Sequence, residues 1–133
     1  MNEHGFIRSV HRKLPAEIYR WKINDNFEGG VADAYYSGNK GDLWIEYKYL
    51  RELPKRSTTA IRTTLSAQQQ LWLADRHREG RRVALVIGSP AGCLVLTTPD
   101  AWNQDLTRDD FIRSAIEKTR LVSYIVETTT STT

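Results

Sequence analysis

Two strand-like runs separated by a polar turn decide the fold, and they read Gly29-Gly30-Val31-Ala32-Asp33-Ala34-Tyr35-Tyr36, then Ser37-Gly38-Asn39-Lys40-Gly41, then Asp42-Leu43-Trp44-Ile45-Glu46-Tyr47-Lys48. The glycine-rich turn predicts that residues 30–37 and 42–50 pair as a hairpin. Side chains at i and i+2 of a strand project from one face, so Glu46 and Lys48 point the same way and Asp33 can reach the same pocket. Two carboxylates suit a hard cation such as Mg²⁺, and an adjacent ammonium can stabilise charge on a phosphate. The pattern therefore predicts a hydrolytic phosphodiester site.

A solvent-facing hairpin held by ion pairs is the structural alternative for the same residues. Each exposed pair would contribute at most about 1 kcal/mol. Aromatic and branched side chains occur on both faces of residues 43–50, which argues against a fully exposed hairpin. If the carboxylates are instead buried, their desolvation costs several kcal/mol, which a bound cation and Lys48 could offset.

Helix and strand signals continue on both sides of this hairpin. Asn2 is suited to cap a first helix that runs to about Lys13, with Pro15 as its stop. Alternating residues 17–24 predict a strand with one wet face. Ser66 and Gly80 bound a second helix over about 66–79.

Further along, two apolar runs, 83–87 and 92–97, predict central strands. Thr107 caps a last helix, and residues 121–126 either extend it or add an edge strand. The order α-β-β-β-α-β-β-α predicts an α/β fold with a mixed sheet flanked by helices. We expect a single domain over residues 1–127 and a Thr-rich, frayed tail at 128–133.

Positive charge is concentrated rather than spread. The whole chain carries +3, with 19 basic and 16 acidic residues, and the irregular segment 51–64 alone carries the same excess. Its cations are Arg51, Lys55, Arg56 and Arg62. They suit contacts with a polyanion, although a solvated face is the alternative. A second basic cluster at 76–82 ends a helix, where cations also favour the helix dipole.

Composition excludes several other classes. No apolar run approaches the roughly 20 residues of a membrane span, and we expect no membrane partner. The lone Cys93 makes an internal disulfide impossible and a thiolate zinc site implausible, so a cytoplasmic location fits best.

The ordered set Asp33, Glu46 and Lys48 resembles the PD-(D/E)xK nuclease superfamily, with Ala32 where the superfamily name implies proline. The segment 65–72, followed by Gly80 and the strand-like run 83–87, is similar to VRR-NUC-type nucleases. Phage endonuclease I and archaeal Holliday-junction resolvases share this core and use a glutamate on the first helix, a role for which Glu3 is the candidate. The similarity spans residues 3–88.

The resemblance implies a restriction-endonuclease-like core (α-β-β-β-α-β) and a Mg²⁺-dependent deoxyribonuclease, with Mn²⁺ able to substitute. Asp33, Glu46 and the carbonyl of Tyr47 would hold the metal, with Glu3 assisting directly or through water. Lys48 and Gln69 would position water or phosphate. The cations of segment 51–64 would clamp DNA.

Resolvase-like relatives further imply cutting of branched or junction DNA rather than sequence-specific cutting. A homodimer would be needed for symmetric cleavage, and the location would be the cytoplasm of a bacterium or a phage-infected host.

Three alternatives stay open at this level. Glu3 lies on the apolar stripe of the first helix, yet a first-turn glutamate also favours the helix dipole. Gln69 has capping-box spacing from Ser66, which would explain it without a catalytic role. The whole chain could also be a non-catalytic nucleic-acid-binding protein with a vestigial site.

Overall fold

The computed structural model describes residues 1–24 and 29–131. In chain order the elements are α1 (Glu3–Lys13), β1 (Tyr19–Lys22), β2 (Ala34–Ser37), β3 (Asp42–Tyr49), β4 (Ala60–Ile61), α2 (Ala67–Arg78), β5 (Val83–Ser89), β6 (Gly92–Leu96), α3 (Pro99–Trp102), β7 (Leu106–Thr107), α4 (Arg108–Ser114) and α5 (Lys118–Thr129). Within these ranges the helices are too short or too polar to cross a membrane.

The main sheet has five strands in the order β1-β2-β3-β5-β6, and β4 pairs with β7 in a separate two-stranded ladder. β3 and β5 run parallel, whereas the other pairs of the main sheet are antiparallel. Parallel neighbours require a long crossover, which the segment containing α2 supplies. The predicted β2–β3 hairpin is confirmed, with Ala34 opposite Ile45. The sheet is mixed and flanked by helices, as the sequence predicts.

Alternation along the strands gives the sheet two apolar faces. On one face Ile45, Tyr47 and Val86 pack in a core that also contains residues of α1 and α5. On the other face Leu85 packs in a core with Leu73 of α2 and with residues from α3 and α4. Because helices cover both faces of β5, every position of that strand is buried, as expected for a central strand.

Local capping signals fix the helix ends. Asn2 Oδ1 accepts a hydrogen bond at 2.8 Å from the backbone N–H three residues on, and α1 ends at Lys13, two residues before Pro15. Thr107 Oγ1 caps α4 in the same way at 3.1 Å. Gly80 has φ +84°, a left-handed conformation that favours glycine at the end of α2. These predicted caps are confirmed.

The predicted element order is incomplete. The segment 51–64 contains β4, whose pairing with β7 ties it to the start of α4. Residues 121–126 neither extend α4 nor form an edge strand, because Ala115 adopts extended backbone (φ −66°, ψ 141°) and ends that helix. Ile116 then bridges Cys93, and the chain starts α5, which buries Leu121 and Ile125.

The expected frayed tail at 128–133 needs correction for the residues that the structure describes. Thr129 belongs to α5 and is fully buried. Its carbonyl accepts hydrogen bonds from the N–H groups of Lys40 and Gly41 at 2.9 and 3.3 Å, and Ser131 N donates to Asn39 Oδ1 at 2.8 Å. The β2–β3 turn therefore holds residues 128–131 in place, while residues 132–133 lie outside the described chain.

Truncation after Glu127 should lower the free energy of unfolding by about 2 kcal/mol or more, because two backbone N–H groups lose their acceptor at about 1 kcal/mol each. Urea unfolding followed by circular dichroism measures the change. Truncation after Ser131 keeps these hydrogen bonds and is the matched control. Equal stability of the two truncated chains would show that the tail contacts are unimportant.

Candidate active site

The carboxylates of Asp33 and Glu46 lie where β2 and β3 separate. The β2–β3 register ends with Ala34 opposite Ile45, so continuing it by one residue puts Asp33 and Glu46 on one face of the sheet. At this point a side chain replaces the main-chain partner, because Tyr47 N donates to Asp33 Oδ2 at 2.8 Å. The structure therefore brings the two acidic residues together, as predicted.

Glu46 is buried and its charge is incompletely balanced. It is 2% exposed, which excludes the solvent-facing ion-pair hairpin. Burial raises the pKa of Glu46 to about 9, with the nearby charge of Asp33 adding to the rise and that of Lys48 opposing it. Glu46 Oε2 lies 3.7 Å from Lys48 Nζ. Its other oxygen, Oε1, is buried and has no hydrogen-bond partner among the described residues.

Gln69 links the carboxylate, the lysine and the start of α2. Its Nε2 donates to Glu46 Oε2 at 2.9 Å, and its Oε1 accepts from Lys48 Nζ at 3.1 Å. The same Oε1 accepts from Ser66 N at 3.0 Å, and Ser66 Oγ accepts from Gln69 N at 3.1 Å, which completes a capping box. The two interpretations of Gln69 are thus compatible, because one amide serves both as cap and as part of the site.

Glu3 lies on the first turn of α1 and is partly buried. Burial raises the pKa of Glu3, the charge of Asp33 raises it further, and that of Lys48 lowers it. Its carboxylate is therefore within the range of charge interaction with the other members of the site. This is the position that the apolar stripe of α1 predicts, and it is also compatible with a favourable helix-dipole contact.

An open cleft of about 300 Å³ leads to these groups, and its wall includes Asp33 and Gln69. His4 and Lys22 also line the cleft, although no sequence motif assigns either of them a role. Lys22 pairs with Ala34 across the β1–β2 ladder, next to Asp33 in sequence. Its position thus depends on strand pairing, which the alternating pattern of β1 alone does not specify.

Gly30 allows the start of α2 to approach the segment before Asp33. Its φ is +80°, and a Cβ atom there would lie 2.6 Å from the backbone oxygen of Gln68. An L side chain at this position would therefore be strained and would collide with α2. Gly30 is thus a packing requirement, because it lets the first turn of α2, which carries Gln69, lie against the segment before Asp33.

The oxygen-rich composition of the pocket suits a hard cation. In a β-strand the N–H and C=O groups of one residue point to the same side. The N–H of Trp44 donates to Arg82 O, next to β5, whereas the N–H of Tyr47 donates to Asp33. The carbonyl of Tyr47 therefore also points toward Asp33. Within residues 1–24 and 29–131, no three His, Cys, Asp or Glu side chains are grouped as a metal cluster. A cation here would therefore depend on the two carboxylates of Asp33 and Glu46 together with the main-chain oxygen.

The cations of segment 51–64 are all exposed, which is compatible with both a polyanion contact and a solvated face. Arg62 Nε lies 3.8 Å from Asp105 Oδ2, and Lys55 and Arg62 line one cleft of about 540 Å³. In the described chain, no ion pair or side-chain hydrogen bond involves Arg51, Lys55 or Arg56. These groups are available to an external anion.

The second basic cluster, at 76–82, is largely satisfied by its own surroundings. Arg76 Nε lies 2.8 Å from Glu79 Oε1, and its guanidinium carbon is 5.3 Å from the Trp72 ring centroid. Arg78 forms an ion pair with Asp75. The interpretation as a solvated helix end therefore fits this cluster better than a ligand site.

Comparison with solved structures identifies a similar fold. The structure of Hjc, a Holliday junction resolvase from the archaeal hyperthermophile Archaeoglobus fulgidus, matches with a TM-score of 0.54 and 10% sequence identity, over 92% of this chain and 97% of that chain. The mixed α/β architecture described above is thus of restriction-endonuclease type. No protein-family model and no curated protein matches the sequence.

The raised pKa of Glu46 should make the stability of the metal-free protein depend on pH. Its pKa rises from an ordinary 4.5 to about 9 in the fold, so the native state binds one more proton than the unfolded chain between these values. The free energy of unfolding therefore falls as pH rises through this interval. Glu46→Gln removes the effect, so the variant should gain stability relative to the unaltered protein as pH increases.

Urea unfolding in EDTA, from about pH 5 to about pH 9, measures this difference. Glu52→Gln is the matched control, because Glu52 is exposed and outside the site. A stability difference for Glu46→Gln that stays constant across this pH range would contradict the raised pKa.

Proposed function

We propose that this chain is a metal-dependent DNA endonuclease that hydrolyses phosphodiester bonds in branched or junction DNA. The observation that carries the proposal is the contact of the buried Glu46 with Lys48 and Gln69, beside an open cleft whose wall includes Asp33 and Gln69. A buried carboxylate retained without full compensation costs stability. Residues of this kind gather where they are needed for binding or catalysis.

Mg²⁺ is the proposed cofactor, with Mn²⁺ able to substitute. Asp33, Glu46 and the carbonyl of Tyr47 would hold the cation, and Glu3 would assist directly or through water. The Glu46 oxygen Oε1, which has no partner among the described residues, and the raised pKa of Glu46 both support this set. A divalent cation would bind that oxygen and would lower the pKa of the carboxyl group. When bound, the cation would supply an activated water and neutralise charge on the phosphate.

The side chains around the metal position have separate proposed roles. Gln69 holds Glu46 Oε2 and so leaves Oε1 available as a ligand. It also orients Lys48, whose Nζ lies 3.1 Å from its amide oxygen. The ammonium of Lys48 keeps two further N–H donors, which would hold the attacking water and stabilise the charge that develops on the phosphate.

The proposed substrate follows from charge and from fold. Arg51, Lys55, Arg56 and Arg62 would contact the phosphate backbone, a contact type that carries no base sequence information. The similar fold is that of a Holliday junction resolvase, which supports action on junctions or other branched DNA. One site cuts one strand, so paired cuts across a junction would require a homodimer.

Plasmid and four-way-junction nicking assays with Mg²⁺ or Mn²⁺ test this function. Lys48→Ala should still bind DNA and metal but lose at least about 100-fold in cleavage rate, because its charge acts mainly in the transition state. Glu46→Gln should weaken metal binding and abolish cleavage. Lys13→Ala is the matched control, because Lys13 is an exposed lysine outside the cleft.

Two outcomes would count against the proposal. Full nicking activity in Lys48→Ala would contradict the proposed catalytic role of Lys48. Tight DNA binding with no nicking by the unaltered protein under any metal would favour the alternative, a non-catalytic binding protein with a vestigial site.

The proposed role of Gln69 in the site can be tested separately from its role as part of the helix cap. Ser66→Ala removes the cap hydroxyl and should cost about 1 kcal/mol of stability with nicking retained. Gln69→Ala should destabilise α2 similarly but also lower the cleavage rate by about 10-fold or more, because Lys48 and Glu46 lose their shared partner. Thermal melts beside the nicking assay report both. Equal activity of the two variants would mean that Gln69 is only a cap.

A further inference from the structure

A second, strongly basic groove lies next to the candidate active site. It has a volume of about 720 Å³ and runs between α1, the end of β3 and the turn at Pro90. Three arginines line it, Arg8 and Arg12 from α1 and Arg51 from the residues after β3, and none of its lining residues is acidic. Arg51 belongs to the cationic segment that is expected to contact DNA, whereas no sequence pattern singles out Arg8 or Arg12.

In residues 1–24 and 29–131, these arginines have no acidic partner. All three are exposed, and none forms an ion pair or side-chain hydrogen bond within the described residues. Arg8 and Arg12 are four residues apart on one helix, a spacing at which like charges disfavour the helix. The negative end of the helix dipole compensates Arg12 in the last turn of α1. It does not compensate Arg8 or Arg51, so the groove presents positive charge that only solvent balances among the described residues.

At two positions, a residue that lines the groove is next in sequence to a residue of the candidate active site. On α1, Asn2 lines the groove while the next residue, Glu3, interacts with the catalytic carboxylates. On β3, Tyr49 lines the groove while Lys48 turns to the opposite face and meets Glu46. A duplex arm that leaves a phosphate at Lys48 would therefore have to pass around the first turn of α1, at Glu3, to enter the groove on the opposite face of the sheet.

We infer that the groove binds the phosphodiester backbone of the duplex arm adjoining the phosphate that is cut, through Arg8 and Arg12 together with Arg51. The arginines along α1 are about 6 Å apart in helical rise, a separation that reaches successive phosphates of one strand. Guanidinium groups suit this task because they present several donors in a fixed plane. The inference rests on the proposed nuclease function and gives α1 a duplex-binding face.

A salt titration of DNA binding tests the groove. The probe is a fluorescent four-way junction of random sequence, bound in EDTA so that no cleavage occurs. The double variant Arg8→Ala/Arg12→Ala should bind at least about 10-fold more weakly near 0.1 M salt, and the slope of log K against log salt should flatten by about two units, one per lost phosphate contact. Arg8→Lys/Arg12→Lys keeps the charge and should retain most of the slope.

The matched control is Arg78→Ala/Arg113→Ala, which removes the same charge from two exposed arginines outside the groove. If the groove variant behaves like this control while the unaltered protein binds and nicks DNA, the inference that the groove binds DNA is wrong and the proposed function stands. An unaltered protein that neither binds nor nicks DNA would overturn both. Circular dichroism melts of each variant confirm that the comparison is made between folded chains.

Discussion

In the middle of the sheet β3 runs parallel to β5, with Trp44 opposite Val83 and Tyr49 opposite Gly88. A parallel pair cannot be closed by a tight turn, so the chain must cross over one face of the sheet before it returns. That crossover contains α2, and its first turn therefore lies over the carboxyl half of β3. The contact between Gln69 and Glu46 is a consequence of this topology.

The same constraint explains why a buried acid is tolerated. Glu46 is flanked by β2 on one side and by β5 on the other. The β2–β3 ladder ends at the pair Ala34–Ile45, one position short of Glu46, and every residue of β5 is buried. Burial disfavours the charge of Glu46 and raises its pKa, whereas the N–H donor of Gln69 and the ammonium of Lys48 at 3.7 Å stabilise the charged form. These contacts leave one carboxylate oxygen without a partner among the described residues. A buried carboxylate that is incompletely paired costs stability, and perturbed groups of this kind are found more often at functional sites than elsewhere.

Charge on the surface extends the site in two directions from β3. The segment 51–64 is tied to α4 through the β4–β7 ladder, so its cations are carried on an anchored loop. On the other side α1 combines two tasks, because Glu3 faces the carboxylates while Arg8 and Arg12 face the basic groove. The short helix thus connects the proposed chemistry to the proposed binding of duplex DNA.

The sequence by itself determined the hairpin, the helix caps and the grouping of Asp33, Glu46 and Lys48, because strand alternation and capping act between residues close in the chain. Only the tertiary structure decided that one amide of Gln69 serves as both cap and site, and that Lys22 lines the cleft. It also decided that α5 is a separate helix whose last turn is held by the β2–β3 turn. These features depend on contacts between segments as many as 92 residues apart, such as Asn39 with Ser131. Such contacts leave no periodic signal in the sequence, because packing between distant elements rather than local conformation selects them.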